Sequence, residues 1–176
     1  MMGKDRQRRQ RAAVAKVGFS GSYVFLKPEA EGMVRVRQYL LPLLPPAVLE
    51  EGKAKVTNWH CTVMFSKTEA ELDKLQEKIH TNKRMYARLV KLDTFGANGD
   101  TLVGLLDSPD ILAYHEQVKD TLTWDSEFDY VPHISLVSLE EGFPENLRGW
   151  LDALNEDLAA SPLNLYFGNP AVDYSR

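Results

Sequence analysis

The segment NWHCTVMFS, from Asn58 to Ser66, reads as a β-strand that carries a histidine and a hydroxyl among apolar residues. Alternate side chains of a strand point to opposite faces of the sheet. His60 and Thr62 therefore share one face, and the apolar side chains around them are expected to share the other, which belongs to the core. The strand is predicted to pack into the core with one face and to present the reactive side chains of His60 and Thr62 on the other.

The same pattern returns in VPHISL, from Val131 to Leu136. His133 and Ser135 share one face of this second predicted strand, while Ile134 between them is expected to face the core. Each motif thus places an imidazole and a hydroxyl about 6–7 Å apart along the backbone. If the two strands lie side by side, two imidazoles and two hydroxyls surround one cleft.

This set of groups suits the cleavage of a phosphodiester. The reaction needs a base that removes a proton from the nucleophile and an acid that protonates the departing oxygen. Histidine can serve as either near neutral pH, since its reference pKa is about 6.5. The hydroxyls can donate hydrogen bonds to the non-bridging oxygens, whose negative charge grows in the transition state. No metal or other cofactor is required, and the lack of a G-x-S-x-G sequence disfavours a serine hydrolase.

Hydrophobic periodicity and turn signals predict the element order β-α-β-α-β-β-α-β-α-β. The predicted strands are Tyr23–Leu26, Asn58–Ser66, Tyr86–Phe95, Thr101–Asp107, Val131–Leu136 and Leu163–Gly168. The predicted helices are Met33–Leu44, a helix capped by Ser66 that reaches Ile79, Pro109–Leu122 and Pro144–Leu158. The expected class is α+β, with two antiparallel-rich sheets and outer helices around a central cleft. We expect a basic N-terminal arm over residues 1–20, helical or disordered, followed by one bilobed domain over residues 21–176.

The composition is that of a soluble globular protein, with 44% hydrophobic and 26% charged residues. The net charge of −4 argues against binding of long nucleic acid, although the basic arm weakens that argument, and a small anionic ligand is compatible with it. No apolar run approaches the roughly 18 residues needed to span a membrane. The single cysteine, Cys61, allows neither an intrachain disulfide nor a cysteine zinc site, so a cytoplasmic location is expected.

Two further histidines, His80 and His115, fall on predicted helices and are expected to face solvent. No pair of the four histidines has the spacing that is typical of zinc ligands, so a metal site is not predicted.

The two motifs HCTV and HISL, in halves of similar layout, resemble the H-x-[ST]-aliphatic motifs of the 2H phosphoesterase superfamily. Members of that superfamily have a bilobed α+β fold with a pseudo-two-fold cleft. Within it, the sequence is most similar to the phage anti-CBASS phosphodiesterases, which degrade the cyclic di- and trinucleotide signals of bacterial immunity. The similarity lies in the opening GSYVFLKP, the strand WHCTVMFS and the compact length, and it covers roughly residue 21 to the end.

This resemblance implies metal-independent cleavage of 3′–5′ linkages, with the ribose 2′-hydroxyl as nucleophile and a linear 3′-phosphorylated product. His60 and His133 would form the acid–base pair, with either one as the base, and Thr62 and Ser135 would donate to the phosphate. Ser135 stands where many relatives have threonine, and the hydroxyl is retained. A phage-encoded enzyme of this kind would act in the cytoplasm of the bacterial host.

A cyclic nucleotide also needs groups that hold its bases and phosphates. Tyr23 on the first strand, and Tyr166 and Phe167 on the last, are candidates for base stacking. Lys27 is a candidate phosphate contact. Core packing of the aromatic side chains and solvation of the lysine are the competing interpretations.

The sequence leaves two other functions open. The same fold can serve an RNA-end enzyme that opens 2′,3′-cyclic phosphates, or a 2′–5′ RNA ligase-like enzyme. Alternatively, the histidines bind phosphate without chemistry, and the protein sequesters cyclic di- or trinucleotides. In each case the expected partner is a nucleotide or an RNA end, and neither a membrane nor a stably bound long nucleic acid.

Overall fold

A computed structural model of the protein describes residues 21–40, 42, 44, 54–56, 58–66, 72–121, 129–139 and 142–175. Within these ranges the strands are β1 (Gly21–Pro28), β2 (Ala54–Val56), β3 (Cys61–Ser66), β4 (Met85–Phe95), β5 (Thr101–Asp107), β6 (His133–Leu139) and β7 (Leu163–Ser175). The α-helices are α1 (Ala30–Leu40), α2 (Leu72–Ile79), α3 (Pro109–Lys119) and α4 (Arg148–Ala160), and a 3-10 turn, Glu145–Leu147, precedes α4. No helix in these ranges is long and apolar enough to cross a membrane. The predicted arm, residues 1–20, lies outside the described residues.

The strands belong to one hydrogen-bonded sheet in the order β2-β6-β3-β1-β7-β4-β5. The strand pairings in the described residues are antiparallel, and β5 pairs with β6 as well as with β4. Six strands thus form a closed ring, and β2 pairs with β6 outside it. The α+β class is confirmed, but the prediction of two sheets is wrong, because the β3–β6 pairing joins the strands of the two motifs in one sheet and the β5–β6 pairing closes the ring. The bilobed cleft and the single domain over residues 21–176 stay predictions.

Local sequence patterns predicted most elements but not all of their ends. The strand Thr101–Asp107 is confirmed, and the turn before it contains two glycines with positive φ, Gly96 at 100° and Gly99 at 63°. Helix α1 begins and ends earlier than the predicted helix, and β7 continues beyond the predicted strand. Ser66 is the last residue of β3, and its predicted role as cap of α2 depends on residues 67–71, which lie outside the described residues. Strand β2 was not predicted.

One face of the strands contributes to the hydrophobic core together with the helices. Val24 and Leu26 of β1 have no exposed surface, whereas Tyr23 and Phe25 are only half-buried. The same alternation holds at the start of β3, where Cys61 has no exposed surface and Thr62 is half-buried. Helices α1 and α2 pack against β7, α3 packs against β3 and β4, and α4 packs against β4. The face that carries Tyr23 and Phe25 is therefore the face available for function.

Phe167 of β7 is among the largest side chains without exposed surface in the described core. Its neighbour Tyr166 points to the opposite face of β7 and is half-buried. Replacing Phe167 by alanine removes the ring and leaves a cavity, so we expect a loss of about 3–5 kcal/mol in the free energy of unfolding. Chemical denaturation of the wild type and of Phe167→Ala measures this loss.

Tyr166→Ala is the matched control, because it removes a similar ring from the adjacent position on the other face of the strand. We expect this substitution to cost clearly less stability. Equal losses from the two substitutions would contradict the assignment of Phe167 to the core face.

Candidate active site

The two histidine motifs meet at the junction of β3 and β6. Cys61 pairs with Ile134 in antiparallel register, and neither side chain has exposed surface. The residues on either side of each paired residue point to the other face of the sheet, away from the core. These residues are the four motif positions, each half-buried: His60, Thr62, His133 and Ser135.

This register arranges the four motif side chains as a square. Continuing it by one residue in each direction sets Thr62 opposite His133 and His60 opposite Ser135. Opposed side chains of an antiparallel pair have Cβ atoms about 4.5–5.5 Å apart, and diagonal ones about 7–8 Å apart. The two histidines occupy one diagonal of the square, and the two hydroxyls occupy the other. A group of the size of a phosphate can therefore contact all four side chains from its centre.

Both imidazoles are held by the backbone in the same way. The Nδ1 atom of His60 lies 2.9 Å from the carbonyl oxygen of Asn58, and Nδ1 of His133 lies 2.8 Å from that of Val131. A carbonyl can only accept a hydrogen bond, so Nδ1 carries the proton in both rings. In the neutral ring, Nε2 then holds the lone pair that can remove a proton, and in the charged ring it can donate one.

Each imidazole also contacts a phenylalanine in an edge-to-face arrangement. The ring centre of Phe25 on β1 lies 5.2 Å from that of His60, with an interplanar angle of 62°. The ring centre of Phe95, the last residue of β4, lies 5.0 Å from that of His133, with an angle of 71°. Contacts of this geometry are favourable and restrict the orientation of both rings. The carbonyl and phenylalanine contacts of the two imidazoles are therefore equivalent, and the phenylalanines come from different strands.

The strands beside the two motifs differ. On β1, the register that pairs Phe25 with Thr62 sets the exposed Lys27 opposite His60. On β5, the residues opposite the second motif are aliphatic, namely Leu105 and Val103. The face of the sheet that carries the four motif side chains is called the motif face. A cation thus lies on this face beside the first motif, which is compatible with the predicted phosphate contact. The second motif has an apolar neighbour instead.

Tyr23 lies next to the first motif, as a base-binding residue requires. Its ring centre is 5.2 Å from that of Phe25 and 6.1 Å from that of His60. Burial and, to a smaller extent, the charge of Asp173 raise the pKa of its hydroxyl, so the side chain is neutral. Its half-buried ring on the motif face keeps it a candidate for contact with a base.

The two candidates on β7 differ in position. Phe167 lies in the core with no exposed surface, so it cannot stack on a bound base, contrary to the prediction. Tyr166 is half-buried, but the guanidinium of Arg84 lies 3.6 Å from its ring centre, and the ring of Tyr86 lies 5.4 Å away. Arg84 is held in place by two hydrogen bonds to the carboxylate of Glu29. A nucleobase of the substrate would therefore have to displace Arg84 in order to stack on the face of Tyr166 that Arg84 covers.

A buried histidine lies on the core side of β3. His115 of α3 is 7% exposed, its Nδ1 lies 2.7 Å from the carbonyl oxygen of Val63, and its ring stacks on Tyr130 at 4.0 Å. The prediction that His115 faces solvent is wrong, whereas His80 is exposed. Burial lowers the pKa of His115, against a smaller opposing effect of the hydrogen bond to Val63. The ring is therefore neutral near pH 7.

The lowered pKa of His115 makes the stability of the fold depend on pH. The unfolded chain binds a proton at His115 below the ordinary pKa of about 6.5, whereas the folded chain binds it only at lower pH. This contribution to stability is complete above about pH 6.5 and is lost as the pH falls toward the folded-state pKa. We expect the free energy of unfolding to decrease more steeply in the wild type than in His115→Asn between about pH 7.5 and pH 5.5.

Asparagine suits this comparison because its amide can replace Nδ1 as donor to the carbonyl of Val63 but does not titrate. Chemical denaturation at a series of pH values gives both profiles. Parallel profiles for the two proteins would contradict the effect of burial on His115.

Sequence reasoning missed Phe25 and Phe95. The alternation of β1 puts Phe25 on the same face as Tyr23 and Lys27, so a signal for it was present. Phe95 reaches His133 only through the pairing of distant strands, which no local pattern indicates. Among the described residues, no three His, Cys, Asp or Glu side chains come together as metal ligands.

Comparison with known proteins gives the family of the chain. The sequence model described as "Anti-CBASS protein Acb1" matches residues 50–144, just over half of the chain, and both histidine motifs lie inside the match. The chain therefore belongs to the Acb1 family of anti-CBASS proteins. No curated protein sequence matches it significantly.

Two solved structures are similar to the fold. A conserved protein of unknown function from Agrobacterium tumefaciens str. C58, ATU0111, is 15% identical, with 89% of this chain and 80% of that chain covered and a TM-score of 0.53. The MHV ns2 PDE domain is 14% identical, with 88% of this chain and 96% of that chain covered and a TM-score of 0.47. The first of these supports a shared fold.

Proposed function

We propose that the protein is a 2H-type phosphodiesterase that cleaves the 3′–5′ bonds of cyclic di- or trinucleotide immune signals and thereby counteracts CBASS defence. The observation that carries the proposal is the pairing of Cys61 with Ile134, because it aligns both motifs on one face of the sheet. Membership of the Acb1 family supports the biological setting. The two H-x-[ST] motifs support the 2H assignment.

The proposed reaction begins with attack of a ribose 2′-hydroxyl on the adjacent phosphorus. One imidazole removes the hydroxyl proton through Nε2 as the bond between the 2′-oxygen and phosphorus forms. The other imidazole, in its charged form, gives a proton to the 5′-oxygen as the bond between that oxygen and phosphorus breaks. Water then opens the resulting 2′,3′-cyclic phosphate to a 3′-phosphate, with the proton transfers reversed. His60 and His133 thus supply every proton transfer, so the chemistry does not require a metal.

Thr62 and Ser135 are proposed to donate to the non-bridging oxygens of the phosphate. Each hydroxyl lies beside one histidine along its own strand and, by the register, opposite the other histidine across the junction. The negative charge on the non-bridging oxygens grows during attack. Donors aimed at these oxygens therefore stabilise the transition state more than the bound substrate.

The strands that flank the first motif supply the proposed contacts to the rest of the substrate. A cyclic dinucleotide carries a second phosphate, and Lys27 is exposed on the motif face beside His60, where its ammonium can meet that charge. Tyr23 is proposed to contact a base through its half-buried ring. Tyr166 is the weakest candidate, because Arg84 covers one face of its ring.

The acid–base assignment predicts a large effect of removing either imidazole. We expect His60→Ala and His133→Ala each to lower kcat by about 10²–10⁴, because one of the two proton transfers loses its catalyst. The measurement is the rate of cleavage of a cyclic dinucleotide, with circular dichroism to verify that each variant is folded.

His80→Ala is the matched control, since His80 is an exposed histidine that follows α2 and has no role in the proposed reaction. Its kcat should equal that of the wild type. Full activity of either motif variant would remove that histidine from the mechanism.

The proposed nucleophile predicts which substrates resist cleavage. In buffer that contains EDTA, we expect cyclic di- or trinucleotides to yield linear products with a 3′-phosphate. Analogues without the 2′-hydroxyl should react at least about 10²-fold more slowly, because the internal nucleophile is absent. Product masses and rates from a panel of cyclic nucleotides measure both expectations.

Other results of this panel would favour the competing functions. Rapid cleavage of the deoxy analogue would mean that water attacks directly. Preference for an oligomer that ends in a 2′,3′-cyclic phosphate would indicate an RNA-end enzyme. Intact cyclic nucleotide recovered in stoichiometric amount after denaturation of the protein would indicate sequestration without chemistry.

A further inference from the structure

The junction that brings the two motifs together has little backbone pairing of its own. In the residues that the structure describes, β3 and β6 share a single registered pair, Cys61 with Ile134, whereas β6 pairs along most of its length with β5. The separation of His60 from His133 across this junction therefore depends on other interactions. The side chains of Trp59 and Tyr130 form hydrogen bonds across it that are buried or partly buried.

The first of these bonds comes from Trp59, the residue before His60. Its indole Nε1 donates to the carbonyl oxygen of Leu136 at 3.0 Å, and the side chain is 7% exposed. The guanidinium of Arg37 lies over the indole at 5.1 Å. Trp59 thus ties the segment of the first motif to the backbone of β6, immediately after Ser135.

The second bond comes from Tyr130, which precedes His133 by three residues. Its hydroxyl donates to the carbonyl oxygen of Thr62 at 2.8 Å and lies 3.6 Å from Sγ of Cys61, within hydrogen-bond distance. Its ring stacks on His115 at an interplanar angle of 8°. His115 is itself bound to the carbonyl of Val63 on β3. Burial raises the pKa of the Tyr130 hydroxyl well above its usual value, so the group stays a donor. Tyr130 thus ties the segment of the second motif to the first motif.

The two bonds are reciprocal, because each motif segment donates a side chain to a carbonyl of the other. We propose that Trp59 and Tyr130 are positioning residues that set the distance between His60 and His133. This inference rests on the proposed function, in which both imidazoles must reach opposite sides of one phosphate. A displacement of about 1 Å in such an arrangement can lower the rate about 10²-fold.

A purely structural role for these bonds makes a different prediction. Any buried donor needs a partner, so loss of the bond would then lower stability without changing the turnover of the folded molecules. The chain offers a matched control for this comparison. Tyr114, the neighbour of His115 on α3, is 4% exposed, and its hydroxyl donates to the carbonyl oxygen of Ile79 at 2.6 Å, outside the junction.

The test compares Tyr130→Phe with Tyr114→Phe, since each substitution deletes one hydroxyl and keeps the ring. At a temperature at which both variants are folded, we expect Tyr130→Phe to lower kcat by about 10-fold to 100-fold and to change KM by less than about threefold. We expect both substitutions to lower Tm by a few degrees. Tyr114→Phe should leave kcat within about twofold of the wild type. Equal kcat values in the two variants would overturn the inference and leave the proposed function intact.

Trp59→Phe removes the other donor and keeps an aromatic ring. If both bonds set one distance, the double variant Trp59→Phe/Tyr130→Phe should lose less activity than the product of the two single losses. Losses that multiply would show that the two residues act independently, and would overturn their shared role.

A second readout does not depend on activity. The ring ¹H–¹³C resonances of His60 and His133, assigned with the alanine variants, should both shift in Tyr130→Phe and stay in place in Tyr114→Phe. If the wild type cleaves no cyclic nucleotide, the proposed function fails, and these resonances still decide whether Tyr130 positions the two rings. Unshifted resonances in Tyr130→Phe would overturn the inference.

Discussion

The antiparallel pairing of Cys61 with Ile134 is the constraint on which the site depends. Both side chains have no exposed surface, so the hydrophobic effect determines which face of each strand enters the core. Strand alternation then directs the motif residues on either side of the pair to the opposite face. A slip of one residue in this register would bury imidazoles and expose core side chains, which is strongly unfavourable. Core packing of Cys61 and Ile134 therefore determines the orientation of the motif side chains, independently of the interactions that these side chains make themselves.

The motif strands could be predicted from the sequence because their alternation lies within consecutive residues. The topology could not. The pairing that closes the sheet joins residues such as Leu105 and His133, which are far apart in the chain, and no local pattern identifies such partners. Strand β2 has only three residues, too few for a period of two to be recognised. The apparent repeat of histidine strand, helix and strand suggested two sheets, whereas hydrogen bonding makes one.

Two predictions about individual side chains failed although the sequence contained the signal. Tyr166 and Phe167 are consecutive in a strand, so only one of them could face the site, and burial assigns Phe167 to the core. His115 stands four residues after Ile111 and three before Val118, on the face of α3 that packs inward. Its polarity suggested solvent exposure, but a backbone carbonyl accepts its hydrogen bond, and a satisfied neutral imidazole can be buried.

The equivalence of the two imidazoles bears on how the proposed reaction assigns its acid and its base. In both rings, Nδ1 is bound to the carbonyl two residues earlier and the ring contacts a phenylalanine, so these contacts do not distinguish His60 from His133. A two-step cleavage suits such a pair, because the group that removes a proton in the first step returns one in the second. The choice of the first base must then come from the orientation of the substrate. The asymmetry that can impose this orientation lies in the flanking strands, with Lys27 opposite one histidine and Leu105 opposite the other. Specificity is therefore expected to reside in β1 and β5, and the chemistry in the strands between them.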